Sequence, residues 1–192
     1  MKIGTEGMII VSTLVLISFL SYTTFYEDNL QSVKSTVDNH EYLVQDKEDA
    51  VGAANLIATI RQKLILLVQH LIKTTPNDDE RIVMLIDNFK PDNIKEGVDN
   101  SGYTSYSVNK GEQIVLCLRS KNKLMDINTM MFVVLHELAH IVTKDIGHPP
   151  EFWQNFKWIL EESINVGIYQ KTDYSRESVE YCGMTISSSP LD

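Results

Sequence analysis

Only two cysteines occur in the 192 residues, and Cys117 and Cys182 stand too far apart in sequence to form a C-x-x-C metal knuckle. They are either one disulfide or two buried thiols, a choice that depends on the compartment. No run of basic residues appears. The formal net charge is −9, and Lys2 and Glu6 cancel within the first 26 residues, so the acidity belongs to the remainder of the chain. An acidic surface repels phosphate backbones, which argues against direct nucleic-acid binding. No Asn-x-Ser/Thr acceptor follows residue 26, so glycosylation gives no handle on topology. With 43% hydrophobic residues, a chain of this length has room for one ordinary domain and an extra segment, and none for a second large domain.

That extra segment is at the N-terminus. Residues 7–25 carry no charge and include Met8-Ile9-Ile10-Val11 and Leu14-Val15-Leu16-Ile17, about the length that crosses a hydrocarbon core. A single transmembrane anchor within residues 1–26 is the expected reading. A cleavable signal peptide is the rival, but Lys2 is its only positive charge and Ser18-Phe19-Leu20-Ser21 gives no clean small-x-small cleavage site. Lys2 before the span and Glu27-Asp28 after it place the remaining domain on the non-cytosolic side of the membrane. Residues 27–47 are polar and read as a linker or stalk, leaving 48–192 as the folded domain.

Within that domain the pattern is α+β. Ala53, Leu56, Ile57, Ile60, Leu64, Leu67, Val68 and Leu71 follow helical spacing and predict a long core helix over 50–72. Thr75-Pro76-Asn77-Asp78 predicts a turn, and a second helix over 79–89 ends before Pro91. Gly- and Asn-rich sequence from 92 to 111 surrounds a short strand at 103–108, and 113–119 is the best strand in the chain. It is expected as core sheet, or as an edge strand that pairs with an extended peptide. Asp126, Asn128 and Thr129 offer an N-cap for a helix over 129–144, and Pro149-Pro150 open another that runs to Val166. On that last helix, Phe152, Trp153 and Phe156 are expected in the core. Glu161-Glu162 reads as a solvated face, with a role in orienting a metal-bound histidine as the alternative. Residues 170–192 are polar and are expected to wrap the surface.

The helix over 129–144 carries His136-Glu137-Leu138-Ala139-His140, and His148 follows at a Gly-Pro corner. Histidines four apart stand one turn apart on one helical face, so both imidazoles reach one metal while Glu137 stands beside it to handle a water proton. From this composition H-E-x-x-H arises by chance in roughly one chain in a hundred of this length, so the motif is a lead by itself. One such histidine alone is usually a satisfied core residue. Three imidazoles and a carboxylate brought together without a shared ligand are expensive to bury, which favours metal.

The segment 109–119, then Val134-Leu135-His136-Glu137-Leu138-Ala139-His140, then Gly147-His148 with Phe152-Trp153, resembles the WLM (Wss-like) metallopeptidases, relatives of SprT-type proteases that degrade protein crosslinked to DNA. The resemblance covers about residues 103–165. It implies a zincin-like fold, His136, His140 and His148 as zinc ligands, and Glu137 as the catalytic base. Two features depart from the family pattern: the interval from His140 to His148 is longer, and an N-terminal span with an acidic domain stands in place of basic DNA-binding tails. Small proteins of this look also resemble sequences from large DNA viruses.

The expectation is therefore a membrane-tethered zinc metallopeptidase acting on protein or peptide substrates, with Tyr181 one candidate for a donor to the oxyanion. The alternative is a catalytically silent membrane protein in which the histidines hold structural zinc, marked by a fourth ligand such as Cys182, or an interaction module with no metal.

Overall fold

The computed structural model describes residues 13–16, 18, 30–98 and 104–192. The expected span over 7–25 lies outside the described residues apart from 13–16 and 18, which are helical, with Leu14, Val15 and Leu16 exposed.

From residue 30 the order is β1 (Leu30–Lys34), β2 (Glu41–Gln45), α1 (Ala50–Thr74), α2 (Glu80–Asn88), β3 (Ile94–Glu96), β4 (Tyr106–Val108) and β5 (Gln113–Leu116). Then follow β6 (Arg119–Ser120), β7 (Lys123–Leu124), α3 (Ile127–Ile141), α4 (Pro150–Asn165), β8 (Val179–Tyr181) and β9 (Met184–Ile186). The fold is α+β, with small sheets rather than one large one. β5 is the centre of a three-stranded sheet, parallel to β3 and antiparallel to β4. The other strands pair as antiparallel hairpins, β1 with β2, β6 with β7 and β8 with β9. The turns Lys121-Asn122 and Cys182-Gly183 have both residues at positive φ, the geometry that matches the twist of a two-residue hairpin.

Helices α1, α3 and α4 share one core. On α1, Ala53, Ile57, Ile60, Leu64, Leu67 and Leu71 are fully buried, and α3 answers with Met130, Met131, Val134, Leu135 and Leu138. Among the described residues α1 alone is long and apolar enough to cross a membrane. Its apolar face is the one packed against α3 and α4, so here it serves as a core helix. Asp126 starts α3 by accepting hydrogen bonds from the Thr129 backbone N–H and hydroxyl, which satisfies one of the free amides of the first turn.

Residues 30–45, expected as part of a polar linker or stalk, form the β1–β2 hairpin, which packs against the core. The reason lies in length and alternation: Tyr42 and Val44 are buried while Glu41 and Leu43 face out, and two inward apolar residues in a five-residue strand give little period to read. The hairpin is tied down by charge. The Gln45 backbone N–H donates to Glu96, whose carboxylate pairs with Arg119, and Arg119 also pairs with Asp49 at 2.6 Å. Removing one member of such a buried set would strand the others.

The strand expected over 113–119 divides into β5 and β6, with Cys117 and Leu118 outside both strands. β5 is central rather than an edge, and the edges of this sheet are β3 and β4. The closing segment does more than wrap the surface: Tyr174 and Tyr181 are buried within it.

Candidate metal centre

Helix α3 crosses the core with its apolar residues inward, which leaves His136 and His140 half-buried on one side, ring centroids 4.9 Å apart. The chain leaves the helix at Val142 and reverses through Gly147, at φ 86°, a conformation that favours glycine. This aims the exposed His148 back over the helix, 5.0 Å from the His136 ring and 4.9 Å from that of His140. One nitrogen from each ring lies within 4.8 Å of the others, and the Nε2 atoms of His136 and His148 are 3.1 Å apart. With both rings neutral, that separation needs a shared proton or a cation between them.

Helix α4 supplies the floor. Phe152 touches all three imidazoles, with centroids at 4.9, 4.4 and 4.6 Å from His136, His140 and His148. Phe156 lies against His136 as well. Trp153, expected in the core, is half exposed and leans over the outer side of His148 at 5.6 Å. Helical periodicity carries Phe152 and Phe156 inward and leaves the residue between them at the rim.

Burial, then the neighbouring histidines, push the His136 imidazole down to about 3, and burial with His148 and Lys110 pushes His140 down to about 4. Both rings are therefore neutral at pH 7, the form that binds a metal. Glu137 is one step round the helix and 6% exposed. Burial raises its carboxyl to about 7, against the backbone and hydroxyl hydrogen bonds of Ser107, which pull it down. A group poised near neutrality serves in either protonation state.

Ser107 lies on β4, the edge of the three-stranded sheet. The turn after β4 is locked against α3: Gly111, at φ 113°, has no room for a Cβ, which would meet the Asn88 carbonyl and Ile141 at 2.8 Å. Lys110 donates from Nζ to the Thr143 carbonyl at 2.9 Å and to the Lys144 carbonyl, tying the turn after β4 to the chain just past the end of the motif helix. A cleft of about 790 Å³ runs between β4 and α3 and reaches the three histidines and Glu137.

Four other expected residues fall differently. Tyr181 lines the cleft, but its hydroxyl donates to the Cys117 carbonyl at 2.9 Å and lies 2.5 Å from Ser105 Oγ. Burial raises its phenol well above the usual range. Cys182 is not free: it forms a disulfide with Cys117, which removes it as a fourth ligand. Glu162 turns to His70 of α1 at 2.7 Å and Glu161 to Lys157, so neither orients a histidine of the cluster. Ser107 and Lys110, by contrast, gave no sign in the sequence. Each acts through a fold contact distant in the chain, and a Ser in Tyr-Ser-Val-Asn looks like any strand serine.

The WLM domain model matches residues 37–188. An uncharacterized protein of Acanthamoeba polyphaga mimivirus is 33% identical over 188 residues, covering 95% of this chain and 94% of that protein. A second, from invertebrate iridescent virus 6, is 26% identical over 180 residues, 87% of this chain and 93% of its own length. A third, from invertebrate iridescent virus 3, is 48% identical over 68 residues, 34% of this chain and 42% of its own. No solved structure matches. With the matched region running from the β1–β2 hairpin to β9 and enclosing the histidine cluster, the chain belongs to the WLM domain family, one associated with zinc metallopeptidase-like function.

Proposed function

We propose that the protein is a zinc-dependent metalloendopeptidase acting on protein or peptide substrates and tethered to a membrane through residues 7–25. The observation that carries this reading is the convergence of three imidazole nitrogens beside one buried carboxylate at the edge of an open cleft. Nitrogens bound to one tetrahedral zinc lie roughly 3.3 Å apart. The 3.1 Å between His136 and His148 and the 4.8 Å limit for the trio bracket that value, so the donor set fits zinc. Three ligands and no fourth side chain among the described residues leave a position open, the mark of a catalytic site over a structural one.

His136, His140 and His148 would hold the metal. Bound zinc supplies Lewis acidity, which polarises a scissile carbonyl and acidifies water. Glu137 takes the proton from the attacking water at its carboxylate and delivers it to the leaving amine. Ser107 fixes that carboxylate through two hydrogen bonds. Strand β4 offers its outer edge to an extended peptide, and pairing there would lay the peptide across Glu137. Phe152 and Phe156 exclude water beneath the imidazoles.

The exposed Leu14, Val15 and Leu16 support an anchor rather than a core helix. The Cys117–Cys182 disulfide supports a non-cytosolic domain, since such bonds persist in oxidising compartments. The acidic surface supports protein over nucleic acid as the partner.

The test compares full-length protein with Glu137→Gln on unfolded casein, with bound zinc quantified in both. Loss of cleavage by about 10²-fold or more with zinc retained is expected. Equal cleavage by the two proteins would remove Glu137 as base, and zinc-loaded wild type that cuts nothing would move the structural-zinc reading ahead.

A further inference from the structure

The cleft extends beyond what a metal and a water need. Helix α3 forms its floor from Phe132 to His140, eight residues or about 12 Å at the helical rise. An extended peptide covers that distance in three to four residues at about 3.3 Å each. The two ends of the floor differ. Toward the end of α3 the cleft is polar, with Asn109, Lys110 and Asp145 around it. Toward the start it is apolar, with Phe132 and Val133 one turn before His136 and Glu137 and on the same face.

Met184 and Ile186 of β9 line the same cleft as Phe132 and Val133. They are two apart on a strand and so point to one side. Met184 is 48% exposed, on a hairpin tied to the rest of the fold at its turn. The Cys117–Cys182 bond fastens the turn, and Tyr181 beside it is held by the Cys117 carbonyl and Ser105. Apolar side chains from α3 and from the tethered β9, lining one cleft with the histidine cluster, make a side-chain pocket.

We propose that the apolar end of the cleft, walled by Phe132, Val133, Met184 and Ile186, selects peptide substrates with a bulky apolar residue such as Leu, Met or Phe beside the scissile bond. This rests on the peptidase reading above and adds its substrate class. Each methylene held in such a pocket changes turnover by about tenfold or more, so Leu or Phe exceeds Ala by at least about 30-fold, and charged residues fall further behind.

The experiment uses the zinc-loaded full-length protein in lipid nanodiscs, because detergent would fill an apolar cleft. The probes are quenched ten-residue peptides identical except at one residue flanking the cut, set to Leu, Phe, Ala, Asp or Lys, with the cut located by mass spectrometry. Both flanking positions are scanned. Binding of the same peptides to Glu137→Gln is read by fluorescence anisotropy. At one of the two positions the order Leu and Phe, then Ala, then Asp and Lys is expected in kcat/KM and in affinity. Met184→Lys, at an exposed site the fold tolerates, should shift the ratio of Asp to Leu peptide upward by about tenfold or more. Cleavage with rates within threefold across both series overturns the pocket and leaves the peptidase intact. The ranking in binding without cleavage by wild type sustains the pocket and sinks the peptidase. A Met184→Lys protein of unchanged thermal midpoint and unchanged ranking overturns the pocket.

Discussion

The two walls of the cleft are built by opposite means. The helical wall, α3 backed by α4, gathers its chemistry from residues close in sequence: His136, Glu137 and His140 share one turn, and His148 returns after a single corner. The strand wall is assembled from pieces far apart, β4 near residue 107 and the β8–β9 hairpin near 182, each strand three residues long. What holds the second wall is a disulfide, a tyrosine hydroxyl and a locked turn, added to the burial of Tyr181 and Ile186 in the core. The comparison teaches that the donors proposed for the metal are local in sequence and the residues proposed to handle substrate are not. Damage to the helical wall should therefore abolish activity, while damage to the strand wall should alter it by degrees.

The largest effect follows from removing a ligand. His140→Ala leaves two imidazoles, and zinc affinity should fall by well over 100-fold, beyond what the loss of an outer-shell partner costs. Cleavage should vanish with it. Isothermal titration against a competing chelator checks this, and an affinity within tenfold of wild type would mean that His140 is not a ligand. Removing zinc from the wild type should also lower the thermal midpoint, because a ligand at a thousand times its Kd adds about 4 kcal/mol to the folded state.

Next comes the staple. The disulfide closes a loop of 65 residues, and losing it through Cys117→Ser with Cys182→Ser should cost about 4 kcal/mol by chain entropy. Zinc affinity should stay within threefold of wild type, because no cluster residue depends on the hairpin, whereas KM should rise. Denaturant titration gives the stability and peptide kinetics the rest. A parallel fall in zinc affinity would show that the two walls are coupled and break the comparison.

The helical wall was also the legible one. H-E-L-A-H and the Gly-Pro corner act over a few residues, so spacing located them, while Asp126 was one of three cap candidates and the helix it starts spans Ile127–Ile141 rather than 129–144. The α1 core face followed from periodicity in the same way. The strand wall resisted because three-residue strands carry no period to read. Ser107 is recognisable only once β4 lies against α3, and Tyr181 only once its hydroxyl is seen tied to Cys117. Trp153 misled because a helix with Phe at 152 and 156 looks uniformly apolar, though its position between them turns it to the rim. The β1–β2 hairpin hid in the same fashion, its polar face outweighing Tyr42 and Val44.

A smaller effect tests the point where the walls meet. Ser107→Ala removes the hydroxyl hydrogen bond to Glu137 and keeps the backbone one. A hydrogen bond to a charged group is worth about 1.5–3 kcal/mol, so kcat should fall by roughly tenfold to a hundredfold. KM and zinc content should hold, and Ser107→Thr should recover part of the rate. A KM effect with normal kcat would place Ser107 on the substrate instead.

The smallest effect is a pH signature of the metal-free protein. His136 and His140 are held down to about 3 and about 4 from an ordinary value of 6.5, so between pH 4 and 6.5 the unfolded chain binds about two more protons there than the folded one. Their contribution to stability is present above 6.5 and lost as pH falls. Glu137, raised from 4.5 to about 7, works in reverse: between pH 4.5 and 7 the folded chain holds a proton that the unfolded chain releases, so its effect on stability declines as pH rises. From pH 4.5 to 6.5 these three groups together leave about one proton on the unfolded side, and chelator-treated protein should gain stability with pH. Glu137→Gln deletes the opposing group, so the slope from this site should approximately double. Urea midpoints at half-unit pH steps measure it. A slope that the substitution leaves unchanged would mean that Glu137 is ionised in the folded protein across that range, and that the two hydrogen bonds from the strand wall outweigh its burial in the helical one.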